Sequence, residues 1–192
     1  MADLSKAIAA ATGAINTEIS ALTNFAQSLE ANLKPALELI IESILETKGH
    51  VVITGLGKSG LVGAKIAATL SSTGTPSFFL HSADALHGDS GALTPGDILI
   101  AISNSGETSE VNAFAAMAKG WGNKVIAITK NPNSTLAKSA NAVINIAFEK
   151  EADPLNLAPT TSTTLTIAAG DALASALMAH RGFTSEDFGK RH

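Results

Sequence analysis

The sequence predicts an α/β protein of three layers, with helices on both faces of a five-stranded parallel sheet and two more helices before it. Short apolar runs rich in β-branched residues alternate with segments of helical periodicity. Hydrophobic residues make up 45% of the chain and aromatic residues only 4%, so Ala, Val, Ile and Leu must fill the core. No linker or internal repeat divides the 192 residues, which suits one domain spanning residues 1–192.

The first 48 residues are predicted to form two amphipathic helices. Apolar residues recur at helical spacing from residue 4 to about residue 30, and a second apolar stripe runs from Leu37 to Leu45. Pro35 is expected in the first turn of the second helix, which ends at Lys48. Because little chain is left to cover the first stripe, residues 1–48 are predicted to serve packing and oligomerisation beside a sheet core of residues 49–192.

Residues 49–192 repeat a strand, a turn and a helix. The predicted strands cover residues 50–55, 77–81, 97–103, 123–129 and 141–148. The longer helices are expected over about 59–73, from the segment SNSGET to Trp121, and over about 162–180, with shorter helices over 82–88 and after NPNS. Five parallel strands suit a flavodoxin-like, doubly wound sheet, in which ligands bind beyond the carboxyl ends of the strands.

Composition excludes several classes of function. The formal net charge of -4 has no long runs of one sign, so a nucleic-acid partner is not expected. Without cysteine, the chain has neither disulfides nor thiolate metal ligands. The first residues are too polar for a secretory signal, and no apolar run is long enough to span a membrane. We therefore expect a cytoplasmic protein without a membrane partner.

The segment after the third predicted strand is the strongest candidate site. It combines three hydroxyls with several backbone N–H groups at the start of a helix, where unpaired amides and the helix dipole favour an anion. Its candidate phosphate-binding residues are Ser103, Asn104, Ser105, Gly106 and Thr108. The alternative is an ordinary capping box, with Ser103 or Ser105 as the cap.

A glycine-rich turn, Gly55-Leu56-Gly57-Lys58-Ser59-Gly60, follows the first strand. It matches the dinucleotide pattern G-x-G-x-x-G, but no acidic residue stands at the end of the second strand, as that fold requires. A nucleotide-binding P-loop would need glycine at position 52, which is Val. The turn is therefore predicted to bring Lys58 and Ser59 to a ligand other than a nucleotide; the alternative for Lys58 is a solvated surface position.

Histidines and acids give weaker signals. His81 and His87 lie near Asp84 and Asp89, but their spacing is not that of a zinc site, and a structural role competes with a site-lining role for both histidines. Glu110 lies one turn into the helix after the phosphate loop, and Glu151 lies in the long loop after the fifth strand. Either glutamate can face the ligand, or be a solvated side chain.

Hydroxyl residues also cluster before the last long helix. Thr160, Thr161 and Ser162 begin a run of five hydroxyls, more than one helix cap needs. They are candidates to close over a phosphate or sugar hydroxyls, or to pack through their methyl groups.

Taken together, these motifs resemble the sugar isomerase (SIS) domain of arabinose-5-phosphate isomerases. The resemblance runs from about His50 to His192 and rests on Gly-Leu-Gly-Lys-Ser-Gly, Ser-Thr-Gly-Thr-Pro (72–76), His-Gly-Asp (87–89), Ser-Asn-Ser-Gly-Glu-Thr and Leu-Ala-Pro-Thr-Thr-Ser-Thr-Thr (157–164). Many members of that family also carry a pair of CBS domains, which this sequence lacks.

The resemblance implies reversible interconversion of D-ribulose 5-phosphate and D-arabinose 5-phosphate without a required cofactor, for the eight-carbon acid sugar of lipopolysaccharide or capsule. It implies homotetramers whose sites borrow residues from neighbouring subunits, and inhibitory zinc at His81. Phosphate contacts would be Ser59, Ser103, Ser105 and Thr108, and the other substrate contacts Gly74, Thr75, Asn104, Gly106, Thr160, Thr161 and Ser162. The functional residues would be Lys58, Glu110, Glu151 and His192, with His87 assisting proton movement.

Aldose–ketose isomerisation through an enediol needs a base and a means to stabilise the oxyanion. We expect Glu110 or Glu151 to move the proton and Lys58 to stabilise the negative charge. Another phosphosugar isomerase on the same scaffold, a non-catalytic sugar-phosphate sensor and a purely structural subunit remain as alternatives.

Overall fold

The computed structural model describes residues 3–190 and confirms the predicted fold class. Its strands are β1 (Val51–Gly55), β2 (Ser77–Phe79), β3 (Ile98–Ile102), β4 (Lys124–Thr129) and β5 (Ala142–Asn145). Their order is β2-β1-β3-β4-β5, and every neighbouring pair is parallel. β1 and β3 pair along their whole length, from Val51 opposite Ile98 to Gly55 opposite Ile102. This is the strand order of a flavodoxin-like sheet.

Eight α-helices surround the sheet within residues 3–190. They are α1 (Ser5–Gln27), α2 (Leu29–Glu42), α3 (Gly57–Ser72), α4 (Ser82–Ala85), α5 (Ser109–Gly120), α6 (Thr135–Ser139), α7 (Thr161–Arg181) and α8 (Ser185–Gly189). A π-helical turn covers Ser43–Thr47 and a 3-10 turn covers Asp89–Ala92. In the part of the chain described, no helix has the length and apolarity needed to cross a membrane.

The two faces of the sheet bury separate apolar layers. Side chains such as Ile53, Ile100 and Ile128 pack with α1, α2, α3 and α7 on one face. The alternate residues, among them Val52 and Leu99, pack with α5 and α6 on the other face. Every residue of β1 and β3 is buried, which is why both strands are largely apolar. Burying one such side chain contributes about 1.5–3 kcal/mol.

Several local features differ from the sequence-based expectation, and β2, β5 and α4 end two or three residues earlier than predicted. Pro35 lies inside α2 and not in its first turn, because the chain bends at Ser28 and α2 already begins at Leu29. α5 begins at Ser109, after the SNSGET segment, which is a loop. The short helix α8 was not predicted, although Thr184 and Asp187 form a complete capping box at its start.

A buried carboxylate organises the amino edge of the sheet. The Asp97 side chain has no exposed surface and accepts hydrogen bonds from His50 N at 2.6 Å, Thr94 N at 2.7 Å and Thr94 Oγ1 at 2.8 Å. Burial alone would raise the pKa of Asp97, but the hydrogen bonds from His50 and Thr94 outweigh it and lower the pKa. The loop before β3 is therefore fixed at the edge opposite the candidate site.

Candidate active site

A crevice opens at the carboxyl edge, between β1 and β3. α3, which follows β1, packs on one face of the sheet, and α5, which follows β3, packs on the other, so the loops after these two neighbouring strands diverge. A cavity of about 180 Å³ lies there. It is lined by Leu56, Lys58, Ser59, Val62, Asn104, Pro159, Ser162, Thr163 and Thr166. The fold thus brings together residues from three of the predicted motifs.

The loop 103–108 is held by its own hydroxyls. Ser103 Oγ lies 2.8 Å from Thr108 Oγ1 and accepts a hydrogen bond from Gly106 N at 3.1 Å. Ser105 Oγ accepts one from Glu107 N at 3.1 Å. Thr108, not Ser103 or Ser105, is the N-cap of α5, and its side chain accepts no backbone N–H group. The capping-box alternative is therefore wrong, because the hydroxyls of Ser103 and Ser105 bond within the loop 103–108 and cap no helix.

Gly106 packs the loop 103–108 closely against residues 134–136. Its φ of 71° lies in the left-handed region, and a Cβ here would lie 2.0 Å from Ser134 Oγ. Its carbonyl oxygen accepts hydrogen bonds from Leu136 N at 3.1 Å and Asn112 Nδ2 at 3.2 Å. Only glycine fits this position without moving the loop.

Asn104 lines the cavity and has a buried side-chain oxygen without a partner among the described residues. The backbone carbonyl oxygen of Asn104 accepts hydrogen bonds from Thr129 Oγ1 at 3.1 Å and Lys130 N at 3.0 Å. These two bonds fix the backbone at this residue. Its side chain lines the cavity, and Oδ1 is buried without a hydrogen-bond partner among the described residues. A buried polar atom of this kind favours a bound partner.

Lys58 lies between two hollows. Gly57 starts α3 with a φ of 57°, and Lys58 follows as an exposed residue of the first turn. Besides the crevice, Lys58 lines an open hollow of about 490 Å³ together with Leu61, Phe79 and His81. Its ammonium group can therefore serve a ligand on either side of the turn.

Glu151 caps the start of α7. Its Oε2 accepts hydrogen bonds from Thr160 N at 2.8 Å, Ser162 N at 3.1 Å and Thr160 Oγ1 at 3.2 Å. Burial pushes the pKa of this carboxyl upward, but the hydrogen bonds from Ser162 and Thr160 outweigh it and lower the pKa. One helix N-terminus at the crevice thus holds a carboxylate of the chain itself, next to the cavity-lining Ser162.

Other predicted site residues lie outside this cavity. Glu110 is the second residue of α5; hydrogen bonds from its own backbone N–H and from Ser109 Oγ, at 2.9 Å, lower its pKa. His87 is exposed beyond α4. Thr161 is fully buried, and its Oγ1 has no partner among the described residues. His192 lies outside the described residues.

Gly74 and Thr75 lie in the turn between α3 and β2, at the amino edge of the sheet. Thr75 is fully buried. Within one chain, the fold does not bring these two residues to the crevice, and their contact with substrate stays a prediction.

His81 offers a metal few partners. His81 Nδ1 lies 3.7 Å from Asp84 Oδ2, and within residues 3–190 no three His, Asp or Glu side chains converge on one point. Zinc needs about four ligands. The described residues of a single chain therefore do not fit the inhibitory zinc implied by the resemblance.

Sequence reasoning missed several contributors to the crevice. Pro159 and Thr166 line it, and Asp153 and Asn156 shape the loop that carries Glu151. The short spacing of Asp153 and Asn156 in a proline-containing loop is a turn signal that could have identified them.

Known proteins resemble this chain over most of its length. The arabinose 5-phosphate isomerase KpsF of Escherichia coli O6:H1 is 52% identical over 173 residues, which are 90% of this chain and 52% of that protein. The arabinose 5-phosphate isomerase KdsD of Francisella tularensis is 49% identical over 91% of this chain and 53% of that protein. The chain thus spans about half the length of the curated relatives it matches.

A solved structure matches the whole fold. The E. coli CFT073 protein c3406, solved in complex with arabinose 5-phosphate, superposes with a TM-score of 0.88 and 39% identity, covering 100% of both chains. The family profile described as "SIS domain" matches residues 44–176, the region that contains the sheet and the crevice. The chain therefore belongs to the SIS domain family.

Proposed function

We propose that the chain interconverts D-ribulose 5-phosphate and D-arabinose 5-phosphate. The observation that supports this most directly is the crevice between β1 and β3, where Lys58, Ser59, Asn104 and Ser162 line one cavity. The relatives strengthen the proposal, since two are named arabinose 5-phosphate isomerases and a 39% identical structure holds arabinose 5-phosphate.

In this proposal the phosphate binds between the loop 103–108 and Ser59. The Glu151 carboxylate already occupies the amides of Thr160 and Ser162 at the start of α7. At the start of α5, the Thr108 side chain accepts no N–H group and the Glu110 carboxylate takes only its own. The dianionic phosphate therefore belongs at the start of α5, and the sugar extends toward Lys58 and Ser162. Anchoring one end of a five-carbon chain aligns its other end for reaction.

The reaction moves one proton between two carbons. A base removes a proton from C1 of the ketose while the C2 oxygen gains one, giving the enediol. A proton then returns to C2 as O1 loses its own, which leaves the aldose. The pKa values of Glu151 and Glu110 are lowered, so both carboxylates are ionised at neutral pH and free to accept a proton, and Lys58 stabilises the developing oxyanion.

NMR of the purified protein with ribulose 5-phosphate tests the reaction. The appearance of arabinose 5-phosphate supports the proposal, and saturable binding without turnover indicates a sensor. Turnover of another phosphosugar alone would identify a different isomerase on this scaffold.

Two substitutions, Glu151→Gln and Glu110→Gln, test the base. One of them should lower kcat by about 10²–10⁴-fold, the usual contribution of a general base. If both variants stay within about tenfold of the unaltered protein, neither glutamate is the base.

We also propose that residues 1–48 serve packing and oligomerisation, that residues 49–192 carry the site, and that the chain acts as a homotetramer in the cytoplasm. Support comes from α1, where Leu4, Ile8, Ile15 and Ile19 are each more than half exposed. Gly74 and His87, which lie away from the crevice, would then act from a neighbouring copy, as would His192, which is outside the described residues.

A further inference from the structure

The loop between β5 and α7 is shaped by one carboxylate. Asp153 Oδ1 accepts a hydrogen bond from Leu155 N at 2.9 Å, and Oδ2 accepts from Leu157 N at 2.8 Å and Ala158 N at 2.9 Å. The carbonyl oxygen of Asp153 accepts a fourth bond from Asn156 N at 3.0 Å. These bonds fold residues 153–158 into a tight turn around the Asp153 side chain.

Side-chain packing does not explain this turn. Leu155 is 74% exposed and Leu157 is 77% exposed, so the apolar residues of the turn contribute almost no burial. Its shape therefore depends on the amides that Asp153 gathers. Burial works to raise the pKa of Asp153, but the bonds from Leu155, Leu157 and Ala158 lower it, and the carboxylate stays charged at neutral pH.

The turn reaches back to Glu151 through Asn156. Asn156 has a φ of 56°, a left-handed conformation that asparagine tolerates better than most residues. Its Oδ1 accepts a hydrogen bond from Glu151 N at 2.7 Å. The next amide, Ala152 N, donates to Thr160 Oγ1 at 2.7 Å. The backbone of Glu151 is thus held from both ends of the loop.

The Glu151 carboxylate points from this held backbone to the start of α7, beside the cavity-lining Ser162. The charged side chains on the surrounding elements are Lys58 of α3, Lys130 after β4, Glu18 of α1, which accepts from Thr164, and Glu149 and Lys150 of the same loop. None of these accepts or donates the hydrogen bonds that hold Glu151.

We propose that Asp153 is a positioning residue for the isomerisation, which fixes the Glu151 carboxylate at the crevice through the 153–158 turn and Asn156. The inference rests on the proposed function, because it gives Glu151 a role in moving the substrate proton. The hydrogen bonds of Asp153 go to residues of this turn, none of which lines the cavity.

Two variants test the connection from Asp153 through Asn156 to Glu151, one at each end of the 153–158 turn. Asp153→Asn removes the charge and leaves at least one of the three amides facing an NH₂ group in place of an oxygen. Asn156→Gly keeps the left-handed backbone but removes the acceptor for Glu151 N. Both variants should lower kcat by about 10- to 100-fold, because a misplaced catalytic group costs about that much. KM should hardly change, since the loop 103–108 is untouched.

Asp97→Asn is the matched control. Asp97 is also a carboxylate that gathers amides, but it lies at the opposite edge of the sheet. This variant should lose stability while kcat per folded molecule is unchanged, with the folded fraction measured by circular dichroism.

The pH profile of Asp153→Asn gives a further check. Loss of its hydrogen bonds raises the pKa of Glu151, so the acid limb of kcat/KM should move to higher pH in Asp153→Asn.

The outcomes separate this inference from the proposed function. If the unaltered protein turns over substrate and both loop variants match its kcat, or raise only KM, the positioning role is wrong. If the unaltered protein is inactive, the proposed function fails, and amide hydrogen exchange of residues 149–164 decides the rest. Faster exchange at Thr160 and Ser162 in Asp153→Asn supports the link to Glu151, and unchanged protection overturns it. Should Asp153→Asn not fold, Asn156→Gly carries the kinetic test.

Discussion

Carboxylates that accept backbone N–H groups organise both edges of this sheet. Asp97 holds the loop before β3, Glu151 holds the start of α7, and Asp153 holds the turn in the loop that links β5 to α7. In each case the hydrogen bonds lower the pKa against the opposing effect of burial. These side chains must therefore be charged for the loops to keep their shape.

Asp97→Asn should make the free energy of unfolding less dependent on pH in the acid range. Because the folded-state pKa of Asp97 is lowered, its contribution is complete above the unfolded pKa of about 3.9 and is lost as pH falls through the folded-state value. At pH 7 the variant should lose about 1–3 kcal/mol, the cost of leaving buried donors unpaired. The difference in unfolding free energy between the variant and the unaltered protein should shrink as the pH falls below about 4.

Urea unfolding at a series of pH values measures this difference. A gap between the two proteins that stays constant down to pH 2 would show that Asp97 does not titrate with folding.

At the scale of elements, α3 and α7 approach most closely where Gly170 faces Ile66. A Cβ on Gly170 would lie 2.4 Å from Ile66 Cγ1 and 2.7 Å from Cδ1, and Ile66 is fully buried. Lys65 and Asp171 form an ion pair on the same two helices. The missing side chain therefore sets the distance between the helices whose first turns line the crevice.

Gly170→Ala should destabilise the fold although alanine is the better helix former. Overpacking costs about 1–3 kcal/mol, against a helix-propensity gain of about 1 kcal/mol. Gly13→Ala in α1 is the matched control, since nothing lies within 4 Å of its added methyl group, and it should stabilise the protein. Thermal denaturation compares the two, and equal shifts in Tm would contradict the role of close packing.

Most strands and helices could be predicted from the sequence because the sheet is buried on both faces. β1 and β3 are runs of buried and mostly apolar residues, and their parallel pairing follows from alternation with helices. Pro35 misled the prediction of where α2 begins, since a proline that fits a first turn also survives inside a helix when tertiary packing holds that helix. The short α8 carries too few residues for a periodic signal.

The site was only partly predictable. The loop 103–108 and Lys58 follow from the edge rule for parallel sheets, because each comes directly after a strand. The hydrogen bonds from Thr160 and Ser162 to Glu151 do not follow from this rule, because they depend on how a loop closes over nine to eleven residues. Hydroxyls predicted to bind ligand also turn out to bond one another, as Ser103 and Thr108 do.

At the scale of the molecule, the first half of α1 lacks a covering surface. Of the α1 residues, only Ala21 and Phe25, both in its second half, are buried. Leu4, Ile8, Ile15 and Ile19 are between 55% and 63% exposed. Large side chains at this spacing on one helix are typical of an interface.

Replacing Ile8 and Ile15 together with serine should dissociate the oligomer without unfolding the chain, because neither side chain is part of the core. Light scattering after size exclusion measures the mass, and circular dichroism confirms the helices. Trp121→Ser, at an exposed position on the opposite face of the sheet, is the control and should keep the native mass. A monomeric unaltered protein would disprove the proposed assembly.

The strand order also governs how the chain emerges from the ribosome. β1 leaves first, yet both of its neighbours, β2 and β3, are made later, so the centre of the sheet waits for about fifty more residues. α7 is the last long helix, and it packs against α1, α2 and α3, which were made much earlier. The surfaces of α1, α2 and α3 that α7 covers therefore stay exposed until synthesis passes Arg181, and exposed apolar surface of this kind is prone to aggregation.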